Sequence, residues 1–114
     1  MKDKDVVKKH QVIRRVAAVL QTRYRPQQII LFGSYASGGS HKESDIDLLI
    51  VKATNKPFFK RLAEVRSLVT DARRGHPFEP VVVTPDDLKR RLARGDQFLA
   101  QILRTGRRLY AAKS

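Results

Sequence analysis

The chain has 114 residues, 41% of them hydrophobic, and carries 24 Lys and Arg against 11 acids, for a formal net charge of +13 with no cysteine. That length suits one small domain over 1–114, because two halves would each be too short to enclose a core. No apolar run approaches the ~20 residues that span a bilayer, no apolar h-region near the N-terminus reads as a signal peptide, and disulfides and thiolate metal sites are excluded.

These features are compatible with a cytoplasmic protein that makes no use of a membrane. The excess of positive charge favours polyanionic partners: nucleotides, RNA or an acidic protein. Solvated helix faces account for many of the same residues.

In chain order, Asp5 to Arg23 reads as a helix. Val6, His10, Ile13, Ala17 and Leu20 recur at three- and four-residue steps, and Lys8, Lys9, Arg14 and Arg15 lie off that stripe. His10 on the stripe reads as a packing histidine. Pro26 ends the pattern. Gln28 to Phe32 is a short apolar strand. A loop of small residues follows, with Gly33, Ser34, Gly38 and Gly39 suited to close backbone approach. No Gly-Lys-Ser/Thr closes that loop, so it is not a Walker P-loop, and it lacks the dinucleotide G-x-G-x-x-G.

Ser44 to Val51 is a second strand opened by Asp45 and Asp47. Residues two apart on a strand project from the same face, roughly 6–7 Å apart along the chain. Two such carboxylates beside an apolar run repel one another unless a cation lies between them, and hard cations such as Mg²⁺ take oxygen ligands of this kind.

Thr54, Asn55 and Pro57 mark a turn and a helix start. Phe58 to Arg74 then reads as a helix with Phe58, Leu62, Val65, Leu68 or Val69, and Ala72 on its apolar stripe. Gly75 suits the position just past its end. Phe78 to Val83 is a third strand, and Pro80, which cannot donate to a ladder, makes it an edge or a bulge. Thr84-Pro85-Asp86-Asp87 is a helix N-terminus with Thr84 as cap and Asp87 three residues on. That helix runs to about Arg94, with Gly95 as its stop. Asp96 caps a last helix carrying Phe98, Leu99, Ile102 and Leu103, ended by Gly106. Arg107 to Ala111 adds a short edge strand.

Gly33-Ser34, ten residues, then Asp45-Ile46-Asp47 resembles the G-S-x10-D-x-D signature of the minimal nucleotidyltransferases of the DNA polymerase β-like superfamily. The segments FEPVVVTPDDL and ILRTGRRLYA also look like later parts of that family. The resemblance implies an α/β (α+β) domain with a mixed, twisted sheet of three or four strands and helices packed against it. It implies an enzyme that transfers AMP from ATP, with two Mg²⁺ or Mn²⁺ ions roughly 3.5–4 Å apart stabilising the attacking and leaving oxygens. It also implies an antitoxin role beside a HEPN-domain toxin, with a tyrosine hydroxyl as acceptor.

On that resemblance Asp45, Asp47 and Glu79 are the catalytic and metal-binding carboxylates. Glu79 stands where the family places an aspartate, which is a departure from the pattern. Gly33 and Ser34 are nucleotide-binding, and Lys42 and His41 can reach the triphosphate as cations or simply solvate the loop.

Three readings follow. The first is a nucleotidyltransferase acting as a protein adenylyltransferase. The second is a module of the same fold that neutralises its partner by occlusion. The third is a basic RNA-binding protein, weakened by the shortage of aromatics free for base stacking. Homo- or hetero-oligomers fit all three. The expected geometry has helices over one face of the sheet and Asp45, Asp47 and Glu79 converging at one edge of a cleft opened by Gly33-Ser34.

Overall fold

The structure, a computed structural model, describes residues 4–33 and 45–113. Among these, four strands form one mixed sheet. They are β1 (Gln28–Phe32), β2 (Ile46–Val51), β3 (Phe78–Val83) and β4 (Arg107–Ala111), in spatial order β3-β2-β1-β4. β1 pairs antiparallel with both β2 and β4, and β2 pairs parallel with β3. The helices are α1 (Lys4–Val19), α2 (Phe58–Leu68), α3 (Pro85–Ala93) and α4 (Gln97–Thr105).

The apolar content of the two central strands decides the layering. Ile29, Ile30 and Leu31 on β1 and Leu48 to Val51 on β2 are all buried. Strands apolar on both sides need cover on both sides. Ile29, Leu31, Ile46, Leu48 and Ile50 pack with Val12, Ile13 and Val16 of α1 and Val65 of α2. Ile30, Leu49, Val51 and Val83 pack with Leu99 and Ile102 of α4, flanked by Leu88 and Leu92 of α3. Helices therefore lie on both faces, which corrects the expectation of a single covered face.

Local chemistry sets the element ends. Thr84 and Asp87 form a reciprocal capping box at α3, with the Asp87 amide donating to the Thr84 hydroxyl over 2.9 Å. The Asp96 carboxylate accepts from the Leu99 amide at the start of α4. Gly75 and Gly95 turn the chain at φ +77 and +86. At Gly106 the limit is space: a Cβ would stand 2.6 Å from both Ile102 O and Ile30 Cγ2, so glycine lets the chain pass from α4 straight onto β1 as β4.

Pro80 does lie on an edge strand. The first helix continues as a π-turn over Leu20–Tyr24, closed by the Arg25 amide donating to Leu20 O at 2.9 Å, with Arg25 left-handed. α2 ends at Leu68 rather than Arg74, although Val69 and Ala72 stay buried through the turns that follow.

Two placements differ from the helical stripes. Lys9 is 1% exposed, so it belongs to the buried side of α1 together with Val12 and Val16. Phe58, the first residue of α2, is 52% exposed and lies outside the core.

Candidate active site

Strand parity brings the acidic residues to one face. Ile46, Leu48 and Ile50 of β2 enter the core beneath α1 and α2, so Asp47 shares the opposite face with Leu49 and Val51. Asp45, two residues earlier, precedes β2 with the same parity. Asp47 is in register with Phe32 of β1 on one side and with Glu79 of β3 on the other. A row of Phe32, Asp47 and Glu79 thus crosses three strands, each step about 4.8 Å.

The electrostatics follow from that row. The Asp47 carboxyl is pushed up from 3.8 to about 6, chiefly by burial, then by the negative charges of Asp45 and Glu79. Glu79 itself is exposed, and its Oε1 lies 3.8 Å from an Arg66 guanidinium nitrogen. The other terminal nitrogen of Arg66 donates to Phe78 O over 3.1 Å.

Gly33 closes the site on the β1 side. It is left-handed at φ +77, and a Cβ there would fall on Asp47 Oδ2. Glycine is required twice, by its dihedral and by the carboxylate packed against its backbone. Ser34, His41 and Lys42 lie outside the described residues.

The donor set is all carboxylate oxygen, which suits a hard divalent cation. Among the described residues no three His, Cys, Asp or Glu side chains gather tightly enough to hold a metal ion. Asp45, Asp47 and Glu79 share a face, and the charges of the first and last add to the upward shift of Asp47, while Glu79 pairs with Arg66. The sequence pattern did not point to Arg66. Nor did it separate Phe98 from the rest of its apolar stripe, yet Phe98 is half exposed and meets Phe32 edge-to-face, with ring centroids 5.7 Å apart and planes at 86°.

A strand–glycine turn joined to a carboxylate-bearing strand, with a parallel third strand adding an acid in register, defines a nucleotidyltransferase fold. The family model described as Polymerase beta, Nucleotidyltransferase matches residues 14–114, and the chain belongs to that family.

Over 56 residues the chain is 36% identical to MJ1379 of Methanocaldococcus jannaschii, provisionally named a protein adenylyltransferase; the match covers 48% of this chain and 56% of that protein. Over 41 residues it is 51% identical to MJ0604 of the same organism, which has the same provisional name, covering 34% of this chain and 41% of that protein. The chain spans about half the length of these curated relatives.

A crystal structure of a provisionally named nucleotidyltransferase from Sulfolobus solfataricus superposes with a TM-score of 0.54 at 21% identity, over 76% of this chain and 77% of that one. A chain of a toxin–antitoxin crystal structure with AMP-PNP superposes at 0.60 with 23% identity, over 87% of this chain and 73% of that one. At these identities the likeness is one of fold.

Proposed function

We propose that the chain is a divalent-metal-dependent nucleotidyltransferase that moves AMP from ATP onto a hydroxyl of a partner protein. The acceptor in this reading is a tyrosine of a HEPN-type toxin, which makes the chain the antitoxin of a toxin–antitoxin pair. The observation that carries the reading is the register of Asp47 with Glu79, on the face that Asp45 shares. Support comes also from the names of the M. jannaschii relatives and of the toxin–antitoxin structure with AMP-PNP.

The reaction forms a bond from the acceptor oxygen to the α-phosphorus and breaks the bond from that phosphorus to the bridging oxygen of pyrophosphate. The acceptor's proton leaves to solvent, and pyrophosphate departs with the electron pair. Divalent ions, when bound, neutralise the triphosphate and acidify the acceptor hydroxyl. Asp45, Asp47 and Glu79 are the residues to hold them.

Gly33 gives the phosphates access to bare backbone. Ser34 and Lys42 are the further nucleotide contacts in this reading. Leu49, Val51 and the α4 side of the core keep one wall of the site dry, which strengthens every charge interaction there.

The pairing of Glu79 with Arg66 favours a second reading, in which the third carboxylate is withdrawn and the chain acts by occlusion. One assay separates the two. The chain, its genomic-neighbour protein, Mg²⁺ and ATP labelled at the α-phosphate are combined, and label on protein and on RNA is measured. Label on the partner protein, lost with Asp45→Asn, supports transfer. A stable complex that never acquires label with Mg²⁺ or Mn²⁺ overturns it in favour of occlusion, and label on an RNA end moves the acceptor to nucleic acid.

A further inference from the structure

A cavity of about 310 Å³ opens beside Gly33, bounded by Phe32, Phe98, Gln101, Ile102 and Thr105. That volume is at the lower end of ligand pockets, about 300–1,000 Å³. Its floor is apolar and fixed: Phe32 stands in register with Asp47, and Ile102 is a core residue of α4. Its outer wall is Phe98, 50% exposed although it is a large aromatic on a helix with free access to solvent. The edge-to-face contact with Phe32 holds the Phe98 ring in place, leaving ring surface uncovered. Gln101, one turn along α4, lines the same cavity with a carboxamide. The Thr105 hydroxyl is already committed to the Gln101 carbonyl at 2.8 Å.

We propose that this cavity receives the purine base of the donor nucleotide, stacked on Phe98, with the Gln101 carboxamide selecting adenine. The proposal rests on the nucleotidyltransferase reading above and assigns that site its base-specificity residues.

Continuity argues for the base. Gly33 belongs both to the cavity wall and to the packing around Asp47, so the cavity adjoins the face that carries the carboxylates. Aromatic side chains take up bases by their faces. Adenine presents N6–H as donor and N7 as acceptor side by side, which a glutamine carboxamide matches with two hydrogen bonds, whereas guanine offers two acceptors there. The competing occupant is the ring of an acceptor tyrosine. That side chain commits its single polar group to the phosphorus and leaves Gln101 nothing to pair with.

Calorimetric titration of the chain with Mg-ATP, Mg-GTP and Mg-tripolyphosphate tests this, on wild type, Phe98→Ala and Gln101→Leu. Both replaced side chains are exposed, and the buried anchors Leu99 and Ile102 are untouched, so unchanged melting temperatures confirm intact folds. Phe98→Ala is expected to weaken ATP about tenfold or more while leaving tripolyphosphate unchanged, and Gln101→Leu to reduce the preference for ATP over GTP. Unchanged ATP affinity in Phe98→Ala overturns the proposal. If that variant also raises the KM of the protein acceptor, the cavity belongs to the acceptor. Failure of the wild type to bind either ATP or tripolyphosphate with Mg²⁺ refutes the nucleotidyltransferase reading itself, a different outcome from equal binding by wild type and variant.

Discussion

Asp47→Asn should make the apoprotein more stable at neutral pH. The folded-state carboxyl titrates near 6 against 3.8 for an ordinary aspartate, so folding favours its protonated form. The folded state is then fully favoured at this residue below pH 3.8, and the advantage is lost as pH rises through about 6. Above that, keeping Asp47 ionised, first against its burial and then beside Asp45 and Glu79, costs at most about 3 kcal/mol. Asp47 is only half-buried, and solvent screening brings this to about 1–2 kcal/mol.

Asparagine has nearly the same volume and no charge. At pH 8 it should raise the melting temperature by several degrees, at about 4–8 °C per kcal/mol for a domain near this size. The gain should shrink through pH 6 and vanish by about pH 4. Thermal melts of the metal-free chain and variant from pH 4 to 8 measure it. A variant equal to or less stable than wild type at pH 8, or a gain independent of pH, would refute the destabilisation ascribed to the half-buried, crowded Asp47 carboxylate. In the same melts Mg²⁺ or Mn²⁺ should stabilise wild type and not the variant.

On the proposed reading Glu79→Gln should abolish AMP transfer while leaving ATP binding largely intact, because Asp45 and Asp47 would still hold the nucleotide's metal; full transfer by this variant would show an ordinary edge-strand charge. Gly33→Ala adds a Cβ onto Asp47 Oδ2 in a left-handed residue and should cost about 1–3 kcal/mol of stability, read by urea unfolding, together with loss of nucleotide binding. A fully stable, ATP-binding Gly33→Ala would contradict the close approach.

Much of the framework is legible residue by residue. Gln28–Phe32, Phe78–Val83 and Arg107–Ala111 are strands over the spans that their apolar runs and flanking turns suggest. The caps at Thr84 and Asp96 follow from side chains that satisfy helix-end amides locally. Pro80 marks an edge strand for want of an amide donor. Packing between distant segments is less legible. Continuous apolar runs on β1 and β2 already imply two covered faces, but three helices with one-sided stripes suggest only that something is covered. Lys9 lies off one stripe of α1 yet on its buried side, because the covered arc of that helix is wider than a single three-four repeat.

The same limit applies to the site. D-x-D spacing tells that Asp45 and Asp47 share a face. That Glu79 falls opposite Asp47, and that Arg66 meets it, depends on the crossover through α2, which no local pattern encodes.

The glutamate at position 79 is best understood through that crossover. If Glu79 is the third carboxylate of the proposed site, a side chain longer than aspartate is tolerable only over a fixed backbone, since misplacement of about 1 Å at a catalytic centre can cost about 100-fold in rate. β3 is an edge strand with a proline next in line, so its own ladder gives it anchorage on one side only. Arg66 supplies a second anchor by donating to Phe78 O, one residue before Glu79, from a helix packed over the other face. Its remaining nitrogen stands at 3.8 Å from the carboxylate, at the outer limit of an ion pair. Both partners there are largely exposed, and such pairs contribute about 0–1 kcal/mol. The backbone is thus held by a hydrogen bond, while the carboxylate is retained only weakly. On the reading proposed above, Glu79 would leave Arg66 for a divalent cation at little cost, with the extra methylene supplying the reach from a fixed strand.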